Sequence, residues 1–190
     1  MIIRKRLTLA AALLLLGAAS HATAAPDTVW EKLRAGGYTV LIRHATTVPG
    51  LGDPPDFRLG DCATQRNLSD AGREESRRIG DRFRAENVPV AEVLSSRWCR
   101  CLDTARLAFG AVTPFPPLDS FFDDRSTAPR QTAAARARIV RFTGPGNLVM
   151  VTHQVNISAL TGAYPGQGEA FVVRAGSSGK VELVARIPSN

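Results

Sequence analysis

The chain has 190 residues, 44% of them hydrophobic, with no heptad or tripeptide repeat, which excludes collagen, a coiled coil and a disordered polymer. Its formal charge of +7 comes from 24 basic residues, nearly all arginine, against 17 acidic ones. They are scattered without the clustered stripe that a nucleic-acid binder needs, so nucleic acid is not expected as a partner.

The first predicted element is a secretory signal peptide. Arg4, Lys5 and Arg6 precede an apolar run from Leu7 to Ala19, and small residues set up an A-x-A cleavage site at Ala22 and Ala24. The run is shorter than the roughly 20 residues of a membrane-spanning helix, and no later stretch approaches that length. Cleavage after Ala24 leaves residues 25–190 as one domain with one core, exported to the periplasm or the medium. Loss of Arg4, Lys5 and Arg6 lowers the net charge to +4, and loss of His21 leaves His44 and His153 as the only histidines.

Tyr38 to Ile42 (YTVLI) reads as a short buried strand. A loop rich in Gly, Pro and Asp runs from Ala45 to Arg66. Ser69 then caps a predicted helix, with Glu74 and Glu75 early and Ile79 and Phe83 facing inward, fading at Asn87 and Pro89. Val90 to Leu94 reads as a second strand and Leu102 to Phe109 as a second helix. Residues 110–130 form a proline-rich excursion. Gln131 to Phe142 is predicted helical and is ended by Gly144-Pro145-Gly146. Asn147 to Thr152 (NLVMVT) is a third strand, followed by a helix near Asn156 to Leu160. Two β-like runs close the chain, Ala170 to Val173 and Val181 to Ile187.

Strands alternating with helices imply an α/β fold, a mostly parallel sheet covered on both faces. Ligands of such sheets bind beyond the carboxyl ends of the strands. Arg43 and His44 follow the first strand, Arg100 lies shortly after the second and His153 follows the third. Two histidines and two arginines therefore converge on one edge.

That set suits phosphoryl transfer. A neutral imidazole can attack phosphorus and form a phosphohistidine. Forked, permanently charged guanidinium groups stabilise the charge on the equatorial oxygens. No metal or cofactor is needed for this chemistry. No Gly-x-Ser-x-Gly turn supports a serine hydrolase. Of the three cysteines, Cys99 and Cys101 are too close to bridge each other without strain. In an oxidising compartment Cys62 is expected to pair with Cys99 or Cys101, with Cys99 the first choice.

At these residues the sequence resembles the histidine phosphatase superfamily, with its phosphoglycerate-mutase-like, three-layer α/β/α fold. Leu41-Ile42-Arg43-His44-Ala45 resembles the L-x-R-H-G motif, and Asn67-Leu68-Ser69-Asp70-Ala71-Gly72 the L-[ST]-x-x-G helix start. Ser95-Ser96 through Arg100 to Thr104-Ala105 is similar to S-S-x-x-x-R-A-x-x-T-A, and Val151-Thr152-His153 to the second-histidine strand. The resemblance implies that His44 is the nucleophile and that Arg43, Arg100 and His153 bind the phosphoryl group, with Arg97 at the rim. Ala45 departs from the usual glycine. Gln154 stands where the acid phosphatase branch carries its aspartate, and an amide cannot protonate a leaving group. Asp123, Asp124 and Glu169 are the candidate acids, Asp123 first. The expected activity is hydrolysis of a phosphate monoester on a small molecule or envelope component. The alternatives are a phosphohistidine-protein phosphatase and a non-catalytic binder of phosphorylated envelope material.

Overall fold

The computed structural model describes residues 28–189; the predicted signal peptide lies outside them. Helices are α1 (Val29–Ala35), α2 (Asp70–Ala85), α3 (Cys99–Phe109), α4 (Ala128–Val140) and α5 (Gln154–Thr161). Strands are β1 (Thr39–Arg43), β2 (Val90–Ser95), β3 (Thr113–Pro114), β4 (Asn147–Thr152), β5 (Ala170–Ala175) and β6 (Val181–Ile187). They form one sheet in the order β3-β2-β4-β1-β5-β6. The first four run parallel, β5 pairs antiparallel with β1, and β6 pairs antiparallel with β5. The expected three-layer α/β architecture is therefore present, and none of the described helices is long and apolar enough to cross a membrane.

Both faces of the sheet are apolar because side chains alternate along each strand. Val40 and Ile42 of β1, Val149 and Val151 of β4, and Val172 of β5 pack with Leu33, Phe83 and Ala105 from α1, α2 and α3. The intervening residues Leu41, Leu148, Met150, Phe171 and Val173 pack with Ile139 of α4 and Ile157 of α5. Each such aliphatic residue contributes about 1.5–3 kcal/mol when fully removed from water.

The main differences from the expectation are two unpredicted elements and two earlier helix starts. Helix α1 went unpredicted, although Thr28 and Glu31 form a reciprocal capping box at its start. Strand β3 has only two residues, too few for an alternating pattern. Helix α4 begins at Ala128, with Pro129 in its first turn. Helix α3 begins at Cys99 rather than Leu102, which puts Arg100 in its first turn.

Two glycines of α2 are required by close approach. A Cβ on Gly72 would lie 1.8 Å from the Thr46 carbonyl oxygen, and one on Gly80 would lie 2.0 Å from that of Ala108. Helix α2 thus rests directly on the chain leaving β1 and on α3. The Thr46 carbonyl also accepts from the Ser69 backbone N–H at 3.1 Å, and Ser69 Oγ caps the Gly72 N–H at 3.1 Å.

Candidate active site

Parallel pairing aligns the ends of β1, β4 and β2 on one edge. The His44 N–H donates to the Thr152 carbonyl and the Ser96 N–H to that of Val151, both at 2.9 Å. Just beyond lies a cavity of about 100 Å³. All five expected site residues, Arg43, His44, Arg100, Asp123 and His153, line it, joined by Asp53, Arg66 and Gln154.

His44 is buried and its ring is oriented by the chain. The Ala45 carbonyl oxygen lies 2.9 Å from Nδ1. A carbonyl only accepts, so Nδ1 carries the proton and Nε2 keeps its lone pair. Burial and then the charge of Arg100, aided by Arg43 and Arg66, push the imidazole down to about 3 against the opposing Ala45 hydrogen bond. The ring is therefore neutral at neutral pH, the state a nucleophile needs. Ala45 is accommodated without a left-handed backbone. It is fully buried, and its N–H donates to Thr104 Oγ1 at 3.0 Å.

His153 is equally enclosed, and burial and Arg100 hold it well below its ordinary value. Its Nε2 pairs with Ser96 Oγ at 2.8 Å, and Ser96 Oγ donates to Asp119 at 3.3 Å. Asp119 also binds Arg97, through Nε at 2.7 Å and Nη2 at 2.6 Å. Arg97 thus lies outside the cavity with its side chain 46% exposed, whereas Arg100 is 4% exposed. The structure puts Arg100 at the cavity and Arg97 beside it.

Three guanidinium groups face this space. Arg43 donates through Nη1 to the Pro165 carbonyl at 3.0 Å. Arg100 is paired with Asp53 at 2.7 Å. The Nε atoms of Arg43, Arg66 and Arg100 are all buried without an acceptor. Buried donors nearly always have partners, and three such donors at one cavity are able to take the oxygens of an anion. Burial, with repulsion from Arg100, lowers both Arg43 and Arg66, as expected of cations gathered ahead of an anion.

The candidate acids separate clearly. Asp123 lines the cavity, on the exposed segment before α4. Asp124 instead caps the following turn by accepting from the Ser126 N–H at 3.0 Å. Glu169 pairs with Arg186 at 2.7 Å, and that hydrogen bond holds its carboxyl below the usual range. Gln154 lines the cavity, and its amide donates to Ser158 Oγ at 3.2 Å.

Reading the sequence missed Asp53 and Arg66, because both lie in a loop of turn-forming composition with no periodicity to set them apart. Arg66 has one local signal, its place directly before the Asn67-Leu68-Ser69 motif. The Cys62–Cys99 disulfide ties this loop to the start of α3, and Cys101 is left free and buried. The first-choice partner of Cys62 is therefore the one observed.

No protein-family model and no curated protein matches the sequence. Solved structures do. The protein histidine phosphatase SixA complexed with tungstate is similar at 16% identity and a TM-score of 0.56, over 80% of this chain and 97% of that one. A candidate alpha-ribazole-5'-P phosphatase from Escherichia coli str. K-12 is similar at 17% identity and a TM-score of 0.59, over 81% and 97%. The phosphoserine phosphatase of Entamoeba histolytica, in complex with 3-phosphoglyceric acid, matches at 13% and 0.58, over 80% and 96%. These likenesses concern the fold, which the chain shares with those solved phosphatase structures.

Proposed function

We propose that the protein is an exported phosphatase that hydrolyses phosphate monoesters through a phosphohistidine on His44. The observation that carries this reading is the cavity itself, where a neutral imidazole with a free Nε2 meets three guanidinium groups whose buried Nε atoms lack acceptors. The phosphatases of the same fold support it, and the disulfide agrees with an oxidising compartment.

In the first step His44 Nε2 attacks phosphorus, an N–P bond forms and the P–O bond to the leaving group breaks. Arg43 and Arg100 hold the equatorial oxygens, where negative charge spreads in the transition state, and His153, its Nε2 engaged by Ser96, joins them as a donor once it takes up a proton at Nδ1. Asp123, the one of the three candidate acids at the cavity, supplies a proton to the departing oxygen. In the second step water attacks phosphorus, its proton passes to the Asp123 carboxylate and the N–P bond breaks. Phosphate leaves and His44 recovers its lone pair. Fixed arginine charge fills the role that a metal has in other phosphoryl-transfer sites.

The test is turnover of p-nitrophenyl phosphate, a leaving group that needs little protonation, by wild-type protein and His44→Ala. Turnover should vanish in the variant, and acid-quenched wild-type protein should carry alkali-stable, acid-labile phosphate. Undiminished turnover by His44→Ala would falsify the mechanism. Binding of phosphate without turnover would leave the non-catalytic binder, whose supporting feature is Gln154 in place of an acid. A screen of phosphate esters that includes a phosphohistidine protein separates the small-molecule reading from the protein-phosphatase one.

A further inference from the structure

The loop between His44 and α2 brings two charged side chains to the cavity that none of the sequence motifs includes. Asp53 is 3% exposed in its side chain and accepts four hydrogen bonds. Two come from Arg100, Nη1 at 2.7 Å and Nη2 at 3.0 Å, one from the Arg66 backbone N–H at 2.9 Å, and one from Trp98 Nε1 at 3.0 Å. Arg100 directs its second Nη1 proton to the Arg66 carbonyl at 3.3 Å. A guanidinium carries five N–H groups in a fixed plane. Three are thus held by protein, and the two that remain, on Nε and Nη2, share one edge. The Nε of that edge is buried without an acceptor, as is the Nε of Arg66, whose Nη1 is anchored on the Gly50 carbonyl.

We propose that Arg66 is a third guanidinium contact to the transferred phosphoryl group, and that Asp53 is a positioning residue holding Arg66 and Arg100 in one frame with their unpartnered edges toward it. The proposal rests on the phosphatase reading above. Asp53 grips the end of the Arg100 fork, the backbone of Arg66 and the Trp98 indole together, so one carboxylate sets the spacing of two cations. It also offsets part of the mutual repulsion among the three arginines at the cavity. A transferring phosphoryl group carries charge on three equatorial oxygens, and Arg43, Arg66 and Arg100 supply three forks for them. The rival is that Asp53 is an internal plug, occupying the place of phosphate. The rival predicts the opposite sign.

Full-length, disulfide-bonded protein is titrated with orthophosphate in a calorimeter and assayed with p-nitrophenyl phosphate, and melting curves are recorded for each variant. Arg66→Ala should weaken orthophosphate binding by about 10- to 100-fold, the effect of one charge-assisted hydrogen bond, and should lower kcat. Arg66→Lys should recover only part, because it keeps the charge and loses the fork. Asp53→Asn should also weaken binding and lower kcat, although removing a negative charge beside an anion site would by charge alone tighten it. Tighter orthophosphate binding by Asp53→Asn overturns the positioning role in favour of the plug. A lowered melting temperature with unchanged affinity and kcat reduces Asp53 to a structural residue and overturns it too. Should Asp53→Asn not fold, Trp98→Phe, which removes one of the four donors that orient the carboxylate, must weaken binding for the role to stand. Wild-type binding matched by Arg66→Ala overturns the third contact alone. A wild-type protein that neither binds orthophosphate nor cleaves any ester overturns the phosphatase reading and this proposal with it.

Discussion

Arg97 and Arg100 lie one helical turn apart in sequence, yet their surroundings give them different work. Arg100 is buried at the cavity with one edge of its fork free, whereas Arg97 is half exposed and bound to Asp119. Replacing Arg43 or Arg100 by Ala should lower kcat/KM by about two to four orders of magnitude, as loss of a fixed charge donor does. Arg97→Ala should cost under about tenfold, the worth of a partly exposed ion pair, transmitted from Asp119 through Ser96 to His153. Steady-state rates on one ester decide it; a larger loss from Arg97→Ala would mean that the wrong arginine has been placed at the phosphate. Cys101 offers a second check at this scale. Burial pushes its thiol up to about 12, so native protein at pH 8 should resist alkylation. Unfolding without reductant should reveal one thiol.

Among the elements, the loop from Ala45 to Arg66 and helix α3 have to be held together, because Asp53 and Arg66 sit on the first and Arg100 on the second. The Cys62–Cys99 bridge does this across a separation of 37 residues. In the chain-entropy model such a closure stabilises the fold by about 3–4 kcal/mol. Reduction, or Cys62→Ser, should therefore lower the melting temperature by about 10 °C and should weaken orthophosphate binding beyond the stability loss. A reduced protein with unaltered phosphate affinity would show that the rest of the fold holds the loop without the bridge. Helix α2 depends on Gly72 in the same way. Its L-[ST]-x-x-G pattern is a packing requirement: Ser69 caps the helix, and the absent Cβ of Gly72 lets the helix meet the Thr46 carbonyl. Gly72→Ala should destabilise by several kcal/mol, as overpacking does, and shift the chain that follows His44. Denaturant unfolding measures the first effect and kcat the second.

For the whole molecule, the site couples stability to pH. His44 has an ordinary value near 6.5 when unfolded and about 3 when folded, and His153 is lowered in the same direction. The unfolded chain therefore binds protons that the folded one refuses between those values. The share from His44 is full above about pH 6.5 and falls as the pH drops toward 3, by about 1.4 kcal/mol per pH unit, and His153 adds to the loss in the same direction. Denaturant melts at pH 7, 6 and 5 should show at least that slope, and His44→Asn should remove its own share. A slope unchanged in the variant would place the His44 ring in contact with water. Orthophosphate should oppose the loss, since an anion at the three arginines binds only the folded state.

The alternation of Tyr38 to Ile42 and Asn147 to Thr152, and the helices between, were enough to determine a parallel α/β fold, because buried strands and amphipathic helices write their burial into local order. The same order determined that His44, Arg100 and His153 share an edge, since parallel strands must end on one side. Sequence reading also put Cys99 ahead of Cys101 as the partner of Cys62, and the structure has that bridge with Cys101 free and buried. Only the tertiary structure decided the rest. Asp123 already ranks first among the candidate acids in the sequence, and what the fold adds is that Arg186, more than 15 residues further along the chain, captures Glu169. The Asp53–Arg100 pair spans 47 residues, and neither end carries a local signal of the other. A loop residue's role is set by what the folded chain brings against it, and that contact energy leaves no period in the sequence.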